Sequence, residues 1–113
     1  MSGKYGELTA DLNKQLGKMR KEMPDLMAGF SSLAQAATKD GALDKKTKEL
    51  IAMALGIANH CPGCLGFHAQ ALARLNTSRE EFMDMLGMAV YMGGGPSLMY
   101  AAEALSAFEE ASS

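Results

Sequence analysis

The sequence predicts an all-α fold of about six helices packed as an antiparallel bundle. No segment alternates apolar and polar residues for long, and valine, a strong strand former, occurs once among the 113 residues. Apolar residues instead recur at steps of three and four, as on one face of a helix. The short connections favour antiparallel neighbours, and the length favours a single domain over residues 1–113.

The first two helices are predicted on either side of Pro24, because proline fits the first turn of a helix but not its interior. The first covers about residues 5–21, and the second ends at the polar stretch 38–41. Their predicted apolar faces are Leu8, Leu12, Leu16 and Met19 on the first, and Leu26, Met27, Phe30, Leu33 and Ala34 on the second.

The third helix is predicted to be the central one. Asp44 is a suitable N-cap, and the stretch 50–58 is almost entirely apolar, which favours burial on all sides. Pro62 then fits the first turn of a fourth helix that runs to about Leu75.

The last two helices are predicted from a capping pattern and a second proline. The sequence Thr77-Ser78-Arg79-Glu80 fits a capping box ahead of a fifth helix over about residues 82–92. Three glycines then end that helix, and Pro96 opens a sixth helix. Its apolar residues at helical spacing are Leu98, Met99, Ala102, Leu105 and Phe108.

Composition argues against several function classes. A formal charge of -2 gives no electrostatic reason to expect a nucleic-acid or anionic-membrane partner. Residues 1–14 are polar, unlike a secretory signal, and the apolar stretch 50–58 is about half of a membrane span. We therefore expect a cytoplasmic protein, and in that reducing compartment two cysteines are not expected to form a static cross-link.

Cys61 and Cys64 are instead well placed for redox chemistry. They flank Pro62-Gly63 at the predicted start of the fourth helix, where unpaired amide groups and the helix dipole favour a thiolate over a thiol. Two thiols at this spacing can close into a disulfide and reopen by exchange.

Two further residues can handle protons for this pair. His68 follows Cys64 by four residues, so both side chains lie on one helix face and His68 can serve as its base. Glu49 belongs to the preceding helix and would face the fourth helix about one turn beyond His68, near Leu72. A carboxylate there can orient the imidazole directly or through one water.

Glu49, eleven residues, Cys61, two residues, Cys64, three residues, His68 resembles the active-site signature of the carboxymuconolactone decarboxylase superfamily, on its alkylhydroperoxidase D-like branch. The resemblance covers about residues 45–107. It implies an all-helical fold, trimers or hexamers, and an antioxidant cysteine pair that reduces hydroperoxides or partner disulfides, with Glu49 and His68 as a proton relay. It also implies a dihydrolipoyl electron donor, and a thioredoxin-like donor is a further expectation. Gly63 is a departure, because members known as peroxidases carry histidine between the cysteines.

Other readings of these residues stay open. The two cysteines can be small buried apolar residues of a helical assembly module, or zinc ligands together with His60 or His68. A third reading is a non-redox, decarboxylase-like enzyme in which Glu49 and His68 act alone. No cofactor motif is present, so we expect no cofactor and no metal.

We also expect the chain to assemble with itself. The third, fifth and sixth predicted helices are so apolar that a monomer of this size would expose large apolar patches, which usually mark interfaces. A homohexamer is the expectation, with a trimer as the alternative.

Overall fold

The structure, a computed structural model, describes residues 3–113, and over this range the chain forms six α-helices and no strand. The predicted all-α class and helix number are confirmed. The helices are α1 (Lys4–Glu22), α2 (Pro24–Thr38), α3 (Lys45–Ala58), α4 (Pro62–Arg74), α5 (Arg79–Gly93) and α6 (Gly95–Ser112).

Local signals account for most helix boundaries. All three prolines lie in the first turn of a helix, and Asp44 caps α3 by accepting a hydrogen bond from the Thr47 amide at 2.7 Å. The capping box of α5 is formed by Ser78 and Glu81, one residue later than predicted, and α5 itself begins about one turn earlier. Thr77 is not the cap of α5: its amide donates to the Leu72 carbonyl at the end of α4.

Helix α4, rather than α3, is the most enclosed element. It packs against α1, α3 and α6. The prediction that α3 is buried on all sides is wrong for the single chain, because Ile51 and Leu55 are exposed on the face that points away from the core. The side chains that are completely or almost completely buried and fill the core around α4 include Met53, Ile57, Leu65, Ala69, Leu72, Phe82, Ala104 and Phe108.

The predicted apolar face of α2 is present but uncovered. Leu26, Phe30 and Leu33 are 55%, 66% and 63% exposed, and α2 has no buried residue. This helix contacts only α1 and α3. The periodicity of a sequence shows that a helix has an apolar face, but it does not show what covers that face.

None of the helices within residues 3–113 combines the length and the apolar character needed to cross a bilayer.

Candidate active site

A sharp turn between α3 and α4 positions the cysteine pair. The Cys61 amide donates to the Gly56 carbonyl at 3.0 Å, and the His60 amide donates to the Ile57 carbonyl at 3.2 Å. These two bonds form a Schellman motif, with His60 in the left-handed position at φ 54°. The chain therefore reverses at once, and Cys61 becomes the N-cap of α4.

Cys61 and Cys64 are joined as a disulfide, and both are half-buried. The Cys64 amide donates to the Cys61 sulfur at 3.2 Å. After reduction, this amide and the positive end of the α4 dipole would stabilise a thiolate at Cys61, in the same way as they favour any anion at a helix start. Residues 3–113 contain no further cysteine.

Glu49 and His68 form a direct contact, with His68 one turn along α4 from Cys64. The distance between Glu49 Oε2 and His68 Nδ1 is 2.6 Å, so no bridging water is needed. The Glu49 side chain is 7% exposed, whereas the His68 side chain is 32% exposed. A nearly buried carboxylate therefore holds Nδ1 of a histidine whose ring still reaches the surface, on the same face of α4 as Cys64.

Gly56 lets α3 approach the cysteines closely. A Cβ atom at this position would lie 3.1 Å from the Cβ atom of Cys64, which is tighter than an ordinary contact. The close approach of the two helices brings the Glu49 carboxylate within reach of α4.

Helix α1 forms a wall beside the cysteine turn, a contact that the sequence pattern does not predict. A Cβ atom at Gly63 would lie 2.7 Å from Leu12 Cδ1, and one at Gly66 would lie 2.6 Å from Thr9 Cγ2. Gln70 also donates to the Thr9 hydroxyl at 3.0 Å. Two glycines three residues apart on α4 were the available signal, since small residues allow close helix contacts.

The first turn of α1 is hydrogen-bonded to two glutamates of α6. Glu110 accepts hydrogen bonds from the amides of Tyr5 and Gly6 at 3.0 and 3.2 Å, and the Tyr5 hydroxyl donates to Glu103. Burial, followed by the hydrogen bond to Glu103, raises the pKa of Tyr5 well above its ordinary value, so the phenol stays a neutral donor. These hydrogen bonds to α6 thus fix the N-terminal end of α1, the helix that packs beside the cysteine turn.

Over the part of the chain that the structure describes, no three His, Cys, Asp or Glu side chains come together as a metal site would require. Residues 3–113 therefore provide no group of three such side chains that could complete the zinc site considered for Cys61 and Cys64.

The fold and this arrangement define a class: an all-helical domain with a Cys-x-x-Cys pair at a helix start and a contacting Glu-His pair behind it. The chain belongs to the carboxymuconolactone decarboxylase family, whose model matches residues 24–107. The resemblance drawn from four residues is confirmed at the family level, and the match extends further towards the N-terminus, over α2.

Solved structures and a curated relative agree with this assignment. The crystal structure of an apo carboxymuconolactone decarboxylase family protein from Legionella pneumophila is 71% identical, with TM-score 0.97, and the match covers 99% of this chain and 100% of that one. A family member from Thermotoga maritima shares the fold at 24% identity, with TM-score 0.80, covering 90% and 87% of the two chains. An uncharacterized protein of Cupriavidus necator is 38% identical over 88% of each chain.

Proposed function

We propose that this protein is a thiol–disulfide oxidoreductase of the alkylhydroperoxidase D-like type, in which Cys61 and Cys64 cycle between dithiol and disulfide. The substrates would be hydroperoxides or the disulfides of partner proteins. The observation that carries the proposal is the 2.6 Å contact between Glu49 and His68 on the helix that begins with the cysteine pair. Further support comes from the Thermotoga maritima relative, whose name describes it as possibly involved in an antioxidative response.

The proposed cycle balances in two half-reactions. In the oxidative half, one cysteine thiolate attacks a peroxide oxygen, an S–O bond forms, the O–O bond breaks, and an alcohol leaves after taking a proton. The second cysteine then attacks the sulfenic sulfur, the disulfide forms, and water leaves. His68, oriented through Nδ1 by Glu49, would take the thiol proton and return it to the leaving oxygen.

The reductive half would use a dithiol donor. One donor thiolate attacks the Cys61–Cys64 disulfide to give a mixed disulfide, and the second donor thiol resolves it, which releases both cysteines and an oxidised donor. A dihydrolipoyl group or a thioredoxin-like protein has this chemistry. Exchange of two electrons between thiols needs no bound cofactor, in line with the lack of a cofactor motif.

We also propose that the active form is a homo-oligomer, a hexamer or else a trimer. Supporting this are the uncovered face of α2 and an apolar groove between α3 and α5, lined by Leu55, Met88 and Met92. Surfaces of this kind on a small chain usually face a partner. Light scattering coupled to size exclusion measures the assembly mass, and a monomer would refute this part of the proposal.

The redox function is tested by alkylating the reduced protein with iodoacetamide across a pH series and locating the label by mass spectrometry. We expect one cysteine to react with an apparent pKa below about 8.5, the value of a free thiol. We also expect one equivalent of an alkyl hydroperoxide to restore the Cys61–Cys64 disulfide. Ordinary thiol reactivity together with no disulfide formation would refute the proposal.

A non-redox function is the second candidate, because the contact between Glu49 and His68 involves neither cysteine. Replacing both cysteines by serine separates the two functions. The redox proposal expects the double variant to lose hydroperoxide and disulfide reduction completely. A decarboxylase-like or lactone-directed activity that survives in the double variant but is lost in His68→Asn would favour the second candidate.

A further inference from the structure

His60 directly precedes the cysteine pair and has an unusual backbone conformation. Its φ of 54° lies in the left-handed region, which a helix C-terminus usually fills with glycine. Histidine tolerates this region better than most residues but adopts it at some cost. The two hydrogen bonds of the Schellman motif explain the backbone path of the turn, but they do not explain why the residue carries a ring.

The ring of His60 has a specific partner on α6. It stacks on the ring of Tyr100 with the centroids 4.5 Å apart and the planes 2° from parallel. His60 itself is exposed and Tyr100 is half-buried, so the contact lies at the surface edge of the bundle rather than in the core. This stack therefore ties the turn that carries Cys61 to a helix that contributes no residue to the proposed proton relay.

We propose that His60 is a positioning residue for the cysteine pair: its stack on Tyr100 anchors the turn and thereby sets the reduction potential of the Cys61–Cys64 disulfide. The inference rests on the proposed redox function. A disulfide at this spacing is most stable when the two cysteines are held at bonding distance, since this raises the effective concentration of one thiol near the other. In this structure the Cα atoms are 5.2 Å apart, and the turn that fixes Cys61 is held from one side by α3 and from the other by Tyr100.

Two substitutions remove the stack from opposite sides. His60→Gly removes the ring and suits the left-handed backbone, so the turn can still form. Tyr100→Leu removes the other ring and keeps an apolar side chain. Stacked aromatic pairs contribute enough energy for about a three- to tenfold change in an equilibrium constant. The equilibrium shifts only by the part of the stacking energy that the reduced turn does not keep, so we expect each variant to shift the equilibrium with dithiothreitol towards the reduced protein by up to that factor.

The measurement is the ratio of disulfide to dithiol protein in buffers of defined reduced and oxidised dithiothreitol, read by alkylation and mass spectrometry. Each protein disulfide that is reduced consumes one reduced dithiothreitol and yields one cyclic disulfide. Tyr100→Phe, which keeps the ring, is expected to stay within twofold of the wild type. The double variant is expected to shift no further than either single variant, because the two changes remove one shared contact.

A matched control tests whether any lost stack would give the same result. Phe82 and Phe108 form a second ring stack, with centroids 4.2 Å apart, in the core and away from the turn. Phe108→Leu is expected to lower the unfolding temperature and leave the dithiothreitol equilibrium unchanged.

The outcomes separate the two proposals. If one equivalent of an alkyl hydroperoxide fails to convert the reduced wild-type pair to a disulfide, the proposed redox function fails and this inference fails with it. If the wild type cycles but His60→Gly and Tyr100→Leu match its equilibrium, only the anchoring role of His60 is refuted. Fully additive shifts in the double variant would also refute it, because the two residues would then act independently.

Discussion

Replacing Glu49 by glutamine keeps the size of the side chain and removes its charge, so it tests the role of the contact with His68. A hydrogen bond that involves a charged group contributes about 1.5–3 kcal/mol, against about 0.5–1.5 kcal/mol for a neutral one. The variant should therefore lose about 1–1.5 kcal/mol of the interaction that orients His68. That loss corresponds to a decrease of about tenfold in the rate of proton-dependent steps.

The assay is the oxidation of the reduced protein by tert-butyl hydroperoxide in single turnover, followed by quenched thiol titration. The chain contains no tryptophan, so intrinsic tryptophan fluorescence is not available as a probe. His68→Asn removes the proposed base itself and is expected to slow the reaction by about 10²- to 10⁴-fold. Glu49→Gln should fall between this variant and the wild type.

The control is Glu109→Gln, which removes a carboxylate from an exposed ion pair with Arg79. Its rate is expected to equal that of the wild type, because surface ion pairs contribute little and this one is not part of the site. A Glu49→Gln rate within twofold of the wild type, with His68→Asn still slow, would show that the buried carboxylate does not assist the histidine. Our reading of the 2.6 Å contact would then be wrong.

Three further outcomes follow from the packing. Gly66→Ala places a methyl group 2.6 Å from Cγ2 of the buried Thr9, whose short side chain cannot move aside, so we expect about 1–2 kcal/mol lower stability in urea unfolding; an unchanged midpoint would contradict the close packing. Tyr5→Phe removes the hydrogen bond to Glu103. Because the Glu103 side chain is 43% exposed and solvent weakens such a bond, the loss should be only about 0.5–1.5 kcal/mol in the same assay. Folding raises the pKa of Tyr5, so above about pH 10 the folded chain keeps the phenol proton while the unfolded chain loses it. The stability of the wild type should therefore fall as the pH rises above about 10. Tyr5→Phe should lack this part of the decrease. Phe30→Ser on the uncovered face of α2 should reduce the assembly mass in light scattering, and an unchanged mass would exclude that face from the interface.

Sequence patterns predicted those features of the fold that depend on neighbours along the chain. Prolines and capping residues placed most helix starts within one or two residues, because their effects are confined to a single turn. The α5 start was predicted three residues too late, because the apolar pattern begins only at Phe82, whereas the polar residues Arg79 to Glu81 already form the first turn. A polar first turn adds nothing to an apolar periodicity, so that periodicity locates the helix but not its start.

The sequence also predicted those parts of the candidate site that lie on one helix or on the two helices joined by a short turn. The spacing of Cys61, Cys64 and His68 was enough to place them on one face at the start of α4, and the antiparallel turn brought Glu49 to His68. The sequence did not predict the stack of His60 on Tyr100, because the two residues lie on different elements and no periodicity links them. The exposure of α2 was missed for a related reason, since burial depends on the tertiary neighbours of a helix.

The wall that α1 forms beside Gly63 places the neighbours of the cysteine turn on a different helix from the four proposed catalytic residues. The segment with the family pattern begins after α1, yet Leu12 and Thr9 of that helix are the residues that pack against the glycines of α4. Substitutions in α1 would therefore change the surface next to the cysteine turn while all four proposed catalytic residues stay in place. Adapting the proposed oxidoreductase to bulkier substrates would thus begin with the N-terminal helix.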